Sequence, residues 1–106
     1  MDAFTALADP TRRQIIEVLA SGERSAGELA NRFEISQPAV SQHLRSLREV
    51  GIVHVRPDAQ RRIYSLRREG LAEVDTWLGE VGRFWSERLE RLEQVLLEED
   101  KESKQE

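Results

Sequence analysis

The 106 residues include no cysteine, are 34% charged and sum to a net charge of −4, with arginine outnumbering lysine 14 to 2. Without cysteine the chain cannot form disulfides, zinc fingers, thiolate metal sites or thiol redox switches. The length predicts one small domain whose core sits at the low end of what closes unaided. No run of about 18 apolar residues occurs, and the opening MDAFTALADP lacks the basic-then-apolar pattern of a leader; a soluble cytoplasmic protein is expected.

In chain order, DAFTALAD predicts a short first helix. Asp9 then offers an N-cap and Pro10 a first helical position, where its missing N–H is no loss. Ile15, Ile16, Val18 and Leu19 make one side of this second helix apolar, and Ser21-Gly22 ends it. Ser25 with Glu28 matches a capping box, opening a helix that carries Leu29, Ala30 and Phe33. A break at Phe33-Glu34-Ile35 leads to Ser36, a second N-cap, with Pro38 in the first turn. The next helix runs to about Val50, where Gly51 stops it. IVHVR and RIYSLR, on either side of PDAQR, read as a hairpin over 52–67. From Gly70 to Glu99 nothing interrupts a helical period, predicting roughly 30 residues spanning about 45 Å. The last residues, 100–106, are expected to be disordered.

Two helices joined by a three-residue turn form a helix-turn-helix over 25–50, and the hairpin after it adds a wing. On the second helix, Val40, Leu44 and Leu47 fall on one narrow apolar stripe. Pro38, Gln42, Arg45 and Glu49 lie opposite, with Gln37, Ser41 and Arg48 along one shoulder. Gln can bond adenine in two places, Arg can take guanine, and Ser reaches a base or a phosphate. At the wing, Arg56, Arg61 and Arg62 surround the tip, each able to neutralise a phosphate. Between Ser36 and Arg68 seven arginines stand against Glu49 and Asp58, a local balance of +5; from Glu69 onward twelve acidic residues face five basic ones, a balance of −7. A basic middle with an acidic remainder points to an anionic partner for one face. That partner is read as double-stranded DNA; the alternative is a winged helix whose arginines meet an acidic protein. No nucleophile-base pair, no carboxylate pair in an apolar setting and no phosphate-cradling glycine loop suggests an enzyme.

ALADPTRRQIIEVL, SAGELANRFEISQPAVSQHLRSLREVGIVHV and RRIYSL resemble the ArsR/SmtB family of bacterial transcriptional repressors, continuously from about Phe4 to Leu71. The resemblance implies a mainly α fold with a small β-hairpin: a winged helix-turn-helix, one domain over 1–99, with a long C-terminal dimerisation helix over 70–99. It implies a homodimeric repressor on an imperfect inverted repeat, released by an inducer whose nature the sequence leaves unknown. By position, Gln37, Pro38, Ser41, Gln42 and Arg45 match the family's DNA-reading helix, and Arg61 and Arg62 its wing. Glu34 stands where many such turns carry Gly, which points to a slightly different turn geometry.

Metal-sensing members of the family carry cysteines in the first helix of the motif, or His and acidic ligands in the last helix. Here those places read ELANRF and LAEVDTWLGEVGRFWSERLERL, and the only histidines, His43 and His54, have no partner at ligand spacing. No metal site, cofactor or membrane association is expected. Along the last helix Leu71, Val74, Leu78, Val81, Trp85, Leu89, Leu92 and Leu96 alternate steps of three and four, close to a heptad seam, widened by Trp77 and Phe84. The expected dimer contacts are Leu78, Val81, Trp85, Leu89 and Leu92, joined by Phe4 and Leu7 from the first helix; Trp77 and Trp85 are also candidates for the protomer's own core.

Overall fold

The computed structural model describes residues 1–105, with side chains as far as Lys101. The chain divides into two compact units, Met1–Val74 and the segment from Asp75 onward. The order is α1 (Ala3–Ala6), α2 (Pro10–Ala20), β1 (Arg24–Ser25), α3 (Ala26–Phe33), α4 (Gln37–Glu49), β2 (Val53–Asp58), β3 (Arg61–Leu66), a 3-10 turn (Arg68–Leu71) and α5 (Ala72–Gln105). It is a mostly helical fold with a small antiparallel sheet.

Each predicted cap is present. Asp9 Oδ1 accepts from the Arg12 amide at 3.0 Å, with Pro10 leading α2. Ser25 Oγ accepts from the Glu28 amide at 3.2 Å while Glu28 Oε1 accepts from the Ser25 amide at 3.3 Å, the reciprocal box expected. Ser36 Oγ accepts from the Ala39 amide at 3.2 Å and starts α4. Together they satisfy amides that the first turns leave without helical partners. Arg12 adds a contact that the sequence does not announce. Its Nε donates to the Ala6 carbonyl at 2.9 Å and its Nη2 to the Thr5 carbonyl at 3.2 Å, closing the C-terminal end of α1.

The core of the first unit forms where α2, α3 and α4 meet the sheet. Ile15, Leu29, Val40, Leu44, Leu47 and Ile52 are fully enclosed, each withdrawing apolar surface worth roughly 1.5–3 kcal/mol from water. Val53 and Tyr64 complete the core from the sheet, with Val55 and Leu66 packed partly against it.

The turn between α3 and α4 departs from its expectation. Glu34 adopts φ 55, ψ 39, the left-handed conformation, with its own amide and that of Ile35 both donating to the Ala30 carbonyl. The turn therefore does not avoid the geometry that glycine serves; Glu34 takes it, against a steric penalty of about 1–2 kcal/mol.

The sheet has three strands in the order β1-β3-β2, not the two of a lone hairpin. Arg24 and Ser25 pair with Tyr64 and Ile63, while β2 and β3 pair from Val53↔Leu66 to Asp58↔Arg61. The expected tip PDAQR shrinks to Ala59 and Gln60, because Pro57 and Asp58 stay in the ladder. Ala59 sits at φ 56; two-residue hairpin loops demand such positive φ to match the strands' twist.

Beyond β3 the chain folds back on the end of α4. Gly51 holds φ 78, the Ile52 amide donates to the Leu47 carbonyl at 2.9 Å, and the Arg67 amide donates to the Ile52 carbonyl at 2.7 Å. Gly70, in the 3-10 turn, comes so close that a Cβ on it would lie 2.0 Å from the Gly51 carbonyl oxygen. The C-terminal helix was expected over 70–99; the 3-10 turn takes its first residues, and α5 continues to Gln105. The residues expected to be disordered are thus helical through Gln105, since Lys, Glu and Gln favour helix and no Gly or Pro intervenes; Glu106 lies outside the described residues.

In the second unit, Trp77, Leu78, Phe84, Trp85, Leu89, Leu92, Val95, Leu96 and Leu97 are all about half exposed or more. Phe84 meets Trp85 edge to face at 6.1 Å, and the Arg88 guanidinium lies 4.7 Å over the Phe84 ring. Among the described residues no helix is long and apolar enough to cross a membrane.

Candidate nucleic-acid interface

Burial of Val40, Leu44 and Leu47 fixes which way α4 faces. With those three fully enclosed, Gln37, Pro38, Ser41, Gln42, Arg45, Arg48 and Glu49 are exposed, as the helical wheel predicts. The cap at Ser36 holds the first turn, so Gln37 and Ser41 project from an ordered helix rather than a frayed end.

A groove of about 440 Å³ runs between α4, the start of α3 and the wing. Gln37, Ser41, Arg45 and Arg48 line it from α4, and Gln60, Arg61 and Arg62 from the hairpin, with Ser25, Ala26, Gly27 and Tyr64 at its base. Four guanidiniums thus share one concave face with the neutral donor-acceptor groups of Gln37, Ser41 and Gln60. Arg48, which the wheel placed on the shoulder without a role, belongs here. A second cleft, of about 380 Å³, lies on the other flank of α4, between Arg12, Gln42, His43, Arg45, Ser46 and Glu49. The structure therefore separates Gln42 from Gln37 and Ser41, and only Arg45 borders both hollows. Pro38 is exposed and lines neither of them.

The wing arginines are not equivalent. Arg56 Nη2 donates to Glu23 Oε1 at 2.7 Å, and Arg56 is absent from the groove lining. That bond holds the Glu23 carboxyl below its ordinary value and the Arg56 guanidinium above its own. Arg61 lines the groove but stands between two carboxylates, 3.7 Å from Glu28 Oε1 and 3.6 Å from Asp58 Oδ2. The Glu28 carboxyl is held below its usual range chiefly by the Ser25 amide, then the Ser25 hydroxyl, with Arg61 and Arg24 adding to the effect. For Arg62 the groove is the described setting. Sequence reasoning could not separate these three, because Glu23, just before β1, and Glu28, on α3, each lie thirty-three positions from the arginine they meet.

Of the expected dimer contacts, Phe4 and Leu7 pack partly against the first unit's core. Leu78, Trp85, Leu89 and Leu92 are exposed on α5, and Val81 is half-buried. His43 is half-buried beside the second cleft and His54 is exposed on β2. Among the described residues no group of three or more His, Asp or Glu side chains is placed to hold a metal ion.

Residues 9–55 match the family described as bacterial regulatory protein, arsR family. The chain is 45% identical over 94 residues to the HTH-type transcriptional regulator Rv2034 of Mycobacterium tuberculosis, covering 89% of this chain and 85% of that protein. It is 35% identical to the transcriptional repressor SdpR of Bacillus subtilis, covering 73% of this chain and 86% of the relative. Among solved structures, one described as a possible transcriptional regulator for arsenical resistance superposes with a TM-score of 0.71 at 40% identity, covering 87% of this chain and 93% of that one.

Proposed function

The chain belongs to the arsR family of bacterial regulatory proteins, and from that premise we propose that it is a sequence-specific, homodimeric repressor of transcription, working in the cytoplasm on an inverted-repeat operator. The family's work is DNA-binding regulation, not catalysis. The observation that carries the finer reading is the groove in which Gln37, Ser41, Arg45 and Arg48 of α4 face Arg61 and Arg62 of the wing. A helix entering the major groove presents its N-terminal half to base edges; Gln37 and Ser41 occupy that half, and Arg45 stands one turn further on. Arg48, Arg61 and Arg62 supply charge for the flanking backbone, which positions the protein without reading sequence. Gln42, on the other flank, would read neighbouring bases or reach the opposite strand.

Two copies joined through α5, with Phe4 and Leu7 contributing from α1, would set the two reading helices one DNA turn, roughly 34 Å, apart. Support for pairing comes from the row of half-exposed Leu78, Trp85, Leu89 and Leu92 at steps close to a heptad. Repression is carried over from the name of the Bacillus relative. The inducer is unspecified, and autorepression is the simplest mode for a member of this kind.

The test is to recover and sequence the genomic DNA fragments the protein retains, then to measure the best of them against Gln42→Ala and Arg61→Ala. Both variants are expected to lose operator affinity while keeping the wild-type oligomeric state. A double variant that still holds the operator fully would instead favour a basic face made for an acidic protein. Recovery of the protein's own promoter would establish autorepression.

A further inference from the structure

Among the described residues, Arg61 is the one groove arginine with a carboxylate from a different element beside it. Its Nη1 lies 3.7 Å from Glu28 Oε1 and its Nη2 lies 3.6 Å from Asp58 Oδ2. The two carboxylates differ in what they can do when a phosphate arrives. Asp58 is three residues away on the same hairpin, paired across the turn as Asp58↔Arg61, and travels with the wing. Glu28 belongs to α3 and is pinned there, because the same Oε1 accepts the Ser25 amide in the capping box at 3.3 Å. For Arg61 to follow a phosphate backbone, the guanidinium must leave Glu28; Glu28 cannot follow it. All three side chains are half exposed, so the exchange is open to solvent and to an incoming phosphate.

We propose that Glu28 sets the strength of DNA binding by competing with phosphate for Arg61, a fixed internal anion that the nucleic acid has to displace. This rests on the DNA-binding reading above. Two effects act in the same direction: the lost Glu28–Arg61 attraction offsets part of each phosphate contact, and the stationary carboxylate repels the phosphate that replaces it. Both are surface electrostatics, modest in size and screened by salt.

The structure supplies a matched control. Glu23 carries the same charge and holds Arg56 at 2.7 Å, but Arg56 does not line the groove. Glu23→Gln therefore changes net charge equally without releasing a groove arginine. Glu28→Gln removes the charge and leaves an amide that can still complete the capping box, so the helix start is kept; an unchanged thermal unfolding midpoint checks this.

The experiment is fluorescence anisotropy with the full chain and a labelled duplex of arbitrary sequence, about three helical turns long, at salt from about 50 to 200 mM. Glu28→Gln is expected to bind about two- to fivefold more tightly than wild type at the low end. The gap should narrow as salt rises, exceed that of Glu23→Gln, and fall toward the Glu23→Gln level when Arg61→Ala is added. Equal gains from Glu28→Gln and Glu23→Gln, or a gain that survives intact in the Arg61→Ala background, would reduce the effect to net charge and overturn the proposal. Wild-type binding that Glu28→Gln leaves unchanged or weakens overturns it too, with the DNA reading intact. Absence of wild-type binding at every salt concentration overturns both.

Discussion

The α-carbon of Gly70 rests against the carbonyl of Gly51, so close that a methyl group there would stand 2.0 Å from the oxygen and 2.7 Å from the Ile52 α-carbon. Both obstacles are backbone, and neither can rotate aside. The contact fixes the 3-10 turn against the end of α4, the same helix that lines the groove. Gly70→Ala is expected to destabilise the protein by about 2–3 kcal/mol, since the main chain itself must shift. Urea unfolding followed by far-UV circular dichroism measures it, and a loss within experimental error of zero would show that the two segments separate freely.

At Glu34 the expected change runs the other way. A glycine there escapes the left-handed penalty of about 1–2 kcal/mol but loses roughly 0.5–1 kcal/mol through the freedom it gains when unfolded. Glu34→Gly should therefore stabilise by about 0.5–1 kcal/mol, while Glu34→Ala, equally strained, should not stabilise. Paired urea midpoints for the two variants separate backbone strain from loss of the carboxylate.

Acid should weaken the fold in a defined window. Glu23 and Glu28 have carboxyls held below their ordinary 4.5 by the Arg56 side chain and the Ser25 amide respectively, and Asp2 and Asp9 sit below 3.8 through the Thr5 and Arg12 amides. A depressed folded value means the unfolded chain binds the proton first. The stabilisation is fully present above the ordinary values and is lost as pH falls through the lowered ones. Stability is thus expected to be level in this respect from neutral pH to about 5, then to decline. The double variant Glu23→Gln, Glu28→Gln should decline less steeply; identical slopes would mean these contacts do not persist in solution.

Pairing through α5 can be tested without touching the first unit. Leu89 is 62% exposed, in the middle of the apolar row. Leu89→Arg is expected to halve the mass seen by sedimentation at micromolar concentration and, with the loss of a second reading helix, to weaken operator binding by more than tenfold. A mass unchanged by Leu89→Arg would place any pairing elsewhere.

Most of the first unit is legible in the sequence because its signals are local. Asp9, Ser25 with Glu28, and Ser36 each act on an amide within three residues, and each does so in the structure. The stripe of Val40, Leu44 and Leu47 depends only on the helical repeat, and all three are fully enclosed. What escapes is what depends on partners far along the chain. A two-residue strand at Arg24–Ser25 has no periodicity of its own and exists by pairing with β3. The different settings of Arg56 and Arg61 follow from Glu23 and Glu28, which the fold delivers from another element. The helical repeat already parts Gln42 from its neighbour Ser41, but that each meets a separate hollow, one bordered by the wing and the other by Arg12 of α2, depends on distant segments.

The strand order β1-β3-β2 leaves two outer strands. One is only two residues long, and the other carries Pro57, which has no amide hydrogen to offer, between the charged Arg56 and Asp58. Short length, proline and charge are the features by which sheets deter a further strand from zipping onto them. The wing can therefore be thrust out toward a partner without becoming a seed for fibrils, so that it engages through its side chains and not through its backbone.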